Sequence, residues 1–194
     1  MNEDTKKKII EAIERHKKKI SELEAGGIET IAAAAEMIVK AFKQGGRVYL
    51  CGNGGSAADA QHIAGELVGR FERQRKGLAA VALTTDTSII TSVSNDYGYE
   101  NVFARQVEAL VGEGDVLWAL STSGSSKNVI AAAELAKKKG ACVLAFTGTA
   151  NSKLEQIADI CFCANDKSTA RSQEIHQVAY HIICGLVEQS FCEQ

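Results

Sequence analysis

The chain has 194 residues, 45% of them hydrophobic and 24% charged, which suits one sizeable α/β domain and is too short for two full ones. Its net charge of −2 offers no general attraction to nucleic acid or an anionic membrane, and no apolar run approaches the roughly 20 residues of a membrane span. No export signal opens the sequence, so the protein is expected in the cytoplasm with its six cysteines held as thiols.

Residues 3–24 and 28–43 carry helical periodicity, through Ile9, Ile10, Ile13, Ile20 and Leu23 in the first and Ile31, Ala34, Ile38, Val39 and Phe42 in the second. Gly26 and Gly27 separate them, and Gly45 and Gly46 end the second. Residues 1–44 thus read as a helical hairpin ahead of an α/β core in 45–194, the whole forming a single domain. An isolated hairpin has apolar surface to hide, so packing on the sheet or on another subunit is expected.

Val48 to Cys51 is a β-prone run, and Gly52, Gly54 and Gly55 after it can take positive φ and let a ligand approach the backbone. Ser56 is expected to cap the next helix, with Asp59 three positions on completing a capping-box-like start. The free N–H groups at that helix start would then face whatever the glycines cradle, most simply a phosphate. A plain tight turn is the competing reading. The loop also fits G-x-G-x-x-A, but the acidic residue that a dinucleotide site needs about 20 residues on is missing, Glu72 coming too early and Asp86 too late. Farther along this helix His62 and Glu66 stand four apart on one face, as a surface hydrogen bond or as part of a metal site.

Leu78 to Thr84 reads as the second strand, Thr87 to Asn95 as a short helix, Asn95 to Tyr99 as a loop and Glu100 to Val111 as a helix. The third strand, Asp115 to Ser121, runs into Ser121-Thr-Ser-Gly-Ser-Ser126 and a helix ending near Gly140, repeating the strand, loop and helix of the first unit. Cys142 to Thr147 and Asp159 to Cys163 are the fourth and fifth strands, with a helix from Ser152 to Ile157 between them, and Thr169 to Gln189 is the final long helix. Strands alternating with helices predict a parallel sheet covered on both faces, with ligands beyond the strand carboxyl ends. The 52–56 and 121–126 loops should therefore face one cleft. Hydroxyls and free N–H groups suit a phosphate without a lysine, and no Walker pattern is present.

On the last helix Gln173 and His181 are eight residues apart, about 12 Å along the axis. Spacing does not choose between His176 and His181. Either imidazole, with one more polar side chain, could join His62 and Glu66 in a nitrogen and oxygen ligand set of the kind zinc accepts.

In combination, C-G-N-G-G-S-A-A-D-A-Q-H-I-A-G-E-L, S-N-D-Y-G, G-D-V-L-W-A-L-S-T-S-G-S-S and A-R-S-Q-E-I-H-Q-V-A-Y-H resemble the phosphoheptose isomerases of the sugar isomerase (SIS) superfamily, over about Lys43 to Glu188. The resemblance implies a three-layer, flavodoxin-like SIS domain with a five-stranded parallel sheet, assembled as a homotetramer with active sites at subunit interfaces. It also implies conversion of sedoheptulose 7-phosphate to D-glycero-D-manno-heptose 7-phosphate, the first step of nucleotide-activated heptose synthesis. Carried across motif by motif, one Zn2+ per subunit would be held by His62, Glu66, Gln173 and His181. Substrate contacts would fall on Asn53, Gly54, Gly55, Glu66, Asn95, Asp96, Ser121, Thr122, Ser123, Ser126 and Gln173, with Glu66 as base and His181 as acid. Glu66 cannot be a tight metal ligand and a free base in one microstate, so one role loosens as the other acts.

Two family prolines are absent, where this chain has Lys76 and Ala164; these positions touch loop rigidity and leave the proposed chemistry intact. Two rival functions share the fold. Non-catalytic SIS regulators that associate with the bacterial replication initiator resemble the chain around A-x-A-Q-H and R-F-E, but lack the helix glutamate and the final histidine, both present here. A SIS enzyme or sensor for another sugar phosphate is separated only by the full His/Glu/Gln/His set.

Overall fold

The computed structural model describes residues 2–192. Helices α1 (Glu3–Gly26) and α2 (Ile28–Lys43) form the hairpin. Asn2 starts α1 by accepting a hydrogen bond from the Thr5 N–H at 2.7 Å. No residue of α1 is buried, and Ile9, Ile10 and Ile13 are about half exposed, whereas Ile31, Ala34, Ala35, Ile38 and Ala41 bury one face of α2. The hairpin joins the core through α2, and only the later part of α1, at Ile20 and Leu23, packs against it.

Strands β1 (Val48–Gly52), β2 (Ala80–Ala82), β3 (Val116–Ser121), β4 (Cys142–Thr147) and β5 (Ile160–Cys163) form one parallel sheet in the order β2-β1-β3-β4-β5. This is the flavodoxin-like winding. Between the strands come α3 (Gly55–Val68), α4 (Thr87–Tyr97), α5 (Val102–Leu110), α6 (Lys127–Lys138) and α7 (Lys153–Ile157), and α8 (Thr169–Gln189) follows β5. Side-chain alternation divides the core in two. Val116, Trp118 and Leu120 of β3 pack with α2, α3 and α8, while Leu117 and Ala119 pack with α5 and α6 on the other face.

Three local expectations are corrected. The Leu78–Thr84 strand shrinks to Ala80–Ala82, because β2 is an edge that pairs only with β1 and has nothing to hold its ends extended. The 95–99 stretch is not wholly a loop: α4 continues to Tyr97 and stops at Gly98 (φ 86°), and a 3-10 turn, Tyr99–Asn101, precedes α5. Ser56 is not the cap of α3. Gly54 takes that position at φ 55°, ψ −122°, a conformation closed to serine, so the helix begins two residues earlier and Ser56 is buried in its first turn. The anticipated partner Asp59 makes no capping bond, and its Oδ2 is buried without a hydrogen-bond partner.

Candidate functional site

The connection from β1 runs outward to β2 on one side, and β3 returns to β1 on the other. The crevice at that reversal lies between the two predicted loops. Asn53, Gly54, Gly55, Ser121, Thr122, Ser126, Thr169 and Gln173 line a cleft of about 280 Å³ there. Ser121 Oγ and Ser126 Oγ stand 3.0 Å apart, and Ser123 Oγ accepts from the Ser125 N–H at 3.2 Å, which folds the loop over its own hydroxyls. Gly124 makes the turn at φ 61°, and any Cβ there would run into Ser152. The cleft thus offers hydroxyls and the first N–H groups of α3 and carries no carboxylate, a composition suited to a phosphate.

Asn53 is locked in place by partners outside the predicted set. Its amide and that of Asn128 donate to each other at 2.9 Å both ways, and the Tyr99 hydroxyl donates to Asn53 Oδ1 at 2.9 Å. Asn128 is buried, and its Oδ1 also accepts from the Val129 N–H. Asn95 and Asp96, by contrast, are exposed at the end of α4, where the Asn95 amide bonds to the Asp96 carboxylate at 2.8 Å. They do not line the cleft.

The second cluster lies two turns along α3. Glu66 Oε1 is 3.0 Å from His62 Nε2, and one ligand atom each of His62, Glu66 and His181 fall within 4.8 Å of one another. Phe71 stacks on His181 with ring centroids 5.6 Å apart, and the His62 and His181 rings meet edge-on at 5.0 Å. Burial first, and then the charge of His62, lowers the His181 pKa against the opposing pull of Glu66. Two imidazoles and a carboxylate in this proximity form a donor set that fits a divalent ion of the zinc type.

The chain leaving α3 is tied down beneath this cluster. The Arg75 guanidinium donates to the carbonyls of Glu66 at 2.6 Å, Leu67 at 2.8 Å and Gly69 at 3.0 Å, satisfying the C-terminal end of the helix. Glu188 of α8 accepts from the N–H groups of Phe71, Glu72 and Arg73 at 2.7–2.8 Å and faces Arg75 Nε at 3.5 Å. Burial works to raise the Glu188 pKa, but these three N–H groups and Arg75 outweigh it and hold the carboxyl ionised below its ordinary value.

The remaining residues of α8 separate by role. His176 is fully buried and its Nε2–H donates to the Thr147 carbonyl at 2.9 Å, while burial pushes its pKa down to about 4. It is a core residue, which leaves His181 as the site histidine. Gln173 packs its amide on Gly55, beside the phosphate cradle. Within one chain, then, the structure brings His62, Glu66 and His181 together but leaves Gln173 at the cleft, two turns of α8 away.

The SIS domain family model matches residues 10–148. The phosphoheptose isomerase of Roseiflexus sp. is 54% identical over 164 residues, 84% of this chain and 83% of that protein. The chain belongs to the phosphoheptose isomerase family. Two solved members share its fold over nearly all of the described chain. The enzyme of Neisseria gonorrhoeae superposes with a TM-score of 0.90 at 38% identity, covering 95% of this chain and 99% of the other. That of Francisella tularensis gives 0.92 at 35% identity, covering 97% and 100%.

Within this family frame, several residues that complete the site carry no sequence signal. Asn128 lies beyond the hydroxyl loop in an ordinary helix start, Thr169 enters the cleft from α8, and Tyr99 reads as a scattered aromatic, while Tyr180 and Phe71 fall inside the A-R-S-Q-E-I-H-Q-V-A-Y-H and R-F-E stretches with no role that spacing assigns them. Only a three-dimensional pairing of α3 with α8 makes Tyr180 and Phe71 neighbours of the histidines.

Proposed function

We propose that this chain interconverts sedoheptulose 7-phosphate and D-glycero-D-manno-heptose 7-phosphate in the cytoplasm, at the head of nucleotide-activated heptose synthesis. One observation carries the reading: a phosphate cradle opens α3 at Gly55, and the His/Glu/His cluster starts seven residues on at His62, about 10 Å along the helix. An open-chain heptose phosphate has the reach to set its phosphate in the first and its C1–C2 end at the second.

In this mechanism Glu66 takes the C1 proton, giving a cis-enediol. His181 delivers a proton to C2 and the hydrogen of O1 passes to O2, so that C1 becomes the carbonyl and C2 the carbinol; loss of the proton from Glu66 and reprotonation of His181 through solvent close the cycle with atoms and charge conserved. Asn53, Ser121, Thr122 and Ser126 hold the phosphate end and so keep the reacting carbons at the carboxylate. A zinc ion held by His62, Glu66 and His181 would polarise the sugar oxygens and stabilise developing negative charge. Gln173, which lines the cleft of its own chain two turns of α8 before His181, is read as completing such a ligand set across a contact with a second copy. This, together with the half-exposed Ile9, Ile10 and Ile13 of α1 and Ile182 and Leu186 of α8, supports a homotetramer with active sites at subunit interfaces.

The deciding experiment supplies metal-replete protein with sedoheptulose 7-phosphate and couples the aldose formed to a heptose 7-phosphate kinase, with and without a chelator. Turnover lost on chelation and restored by zinc is the expected result. Turnover indifferent to chelation overturns the metal, and no turnover in metal-replete protein overturns the substrate.

A further inference from the structure

Tyr180 lies between the two site histidines. Its hydroxyl is 3.0 Å from His62 Nδ1, and its ring meets His62 edge-on at 5.6 Å and His181 edge-on at 4.7 Å. The residue is fully buried, yet a phenylalanine would fill the same space without placing a polar atom there. The hydroxyl therefore calls for an account.

His62 has both ring nitrogens engaged, Nε2 with Glu66 and Nδ1 with Tyr180, and two neutral forms are open to it. In one, Tyr180 donates to Nδ1 and the Nε2–H donates to Glu66. That form has no lone pair at Nε2 and cannot bind a metal there. In the other, the Nδ1–H donates to the phenol oxygen and Nε2 is free. The phenol hydrogen then needs an acceptor of its own, and one is at hand. Asp59 stands three residues before His62 on the same face of α3, and its Oδ2 is buried with no hydrogen-bond partner among the described residues. The Asp59 carboxyl is near enough to the Tyr180 hydroxyl for the two to bear on each other.

We propose that Tyr180 is a positioning residue: by accepting from His62 Nδ1 and donating to Asp59, it fixes the tautomer in which His62 Nε2 ligates a metal ion. The inference rests on the metal site of the preceding reading. It gives the hydroxyl and the buried carboxylate oxygen a common purpose, and it makes the His62–Tyr180 hydrogen bond reverse direction, with Tyr180 then donating to Asp59, when the metal arrives. Outer partners of this kind set ligand orientation and basicity in metal sites generally.

The test is zinc affinity, read by competition with a chromophoric chelator, together with 15N NMR of the imidazoles. In zinc-loaded protein His62 should carry its hydrogen on Nδ1. Tyr180→Phe, which keeps the packing, should weaken zinc binding roughly 10- to 100-fold. Asp59→Ala should weaken it in the same direction, and should cost nothing further when added to Tyr180→Phe, since the chain is already cut. Wild-type zinc affinity in a folded Tyr180→Phe protein, or effects of the two variants that simply add, overturns the proposal. Should Tyr180→Phe fail to fold, unchanged zinc affinity in Asp59→Ala overturns it alone. If the wild-type protein binds no zinc at all, the metal site itself falls, and the role of Tyr180 falls with it.

Discussion

The Gln173 amide lies directly over the Cα of Gly55: a Cβ built there would stand 2.8 Å from Gln173 Cδ. Gly55 has no positive φ, so the backbone accepts alanine and only the side-chain contact forbids it. Gly55→Ala should therefore leave the fold intact while pushing Gln173 out of the cleft. KM for the sugar phosphate is expected to rise at least tenfold, about 1.4 kcal/mol, with the thermal midpoint little changed. An unchanged KM would mean that Gln173 does not bear on substrate.

Glu66→Gln keeps the shape of the side chain and removes its basicity. Turnover should drop by about 10²- to 10⁴-fold, the range of a lost general base, while assembly and sugar phosphate binding persist. Near-normal activity would sink the assignment of Glu66 as base. His181→Asn is expected to follow it, since both groups serve the same proton transfer.

The core histidine makes a pH prediction. His176 has a pKa pushed down to about 4 in the folded chain, against about 6.5 unfolded. Between these values the unfolded state binds the extra proton, so stability rises with pH across the window, is complete above about 6.5, and is lost as pH falls toward 4. The slope is about 1.4 kcal/mol per pH unit. Asp59, raised to about 6 chiefly by burial, acts in the opposite sense between about 4 and 6. Urea unfolding at pH 7.5 and pH 5, in wild type and in His176→Gln, isolates the histidine: the loss of stability on acidification should be smaller in the variant. An equal loss in both would assign the acid sensitivity elsewhere.

Glu188 serves three N–H groups and a buried guanidinium at once. Glu188→Gln retains the volume but leaves Arg75 uncompensated, and should destabilise the chain by about 3 kcal/mol. It should also lower turnover, because Phe71 and the ring it stacks on lose their anchor. Chemical denaturation and kcat measured on the same preparation test both halves, and full stability in the variant would show that the carbonyls of Glu66, Leu67 and Gly69 suffice for Arg75.

Much of the fold was legible because it rests on local rules. Apolar runs of strand length, glycine punctuation and 3.6-residue periodicity placed β4 and α8 at the bounds the structure has, and the two loops facing one cleft followed from parallel winding. What escaped was set by distant partners. The β2 edge is short because it has a single neighbour, and the capping rule favoured Ser56 because nothing local shows that Gly54 takes a conformation open to glycine. His176 and His181 look alike in sequence, and only the sheet surface beneath α8 decides which is core. Gln173 belongs to the ligand set by resemblance alone, and within this chain it lines the cleft, eight residues before His181 on the same helix. Glu188, Arg75 and Asn128 were silent because a buried polar network has no periodicity.

Helices α3 and α8 run side by side on one face of the sheet and touch at matched rungs: Gly55 meets Gln173, and seven residues later on each helix His62 meets Tyr180. A residue inserted in one helix between these rungs would turn everything after it by about 100° and break the lower rung while sparing the upper. Changes of length in this chain should accordingly be absorbed in the connecting loops and in the outer part of α1, which buries nothing. The paired segments can vary in residue type, but they can change length only together.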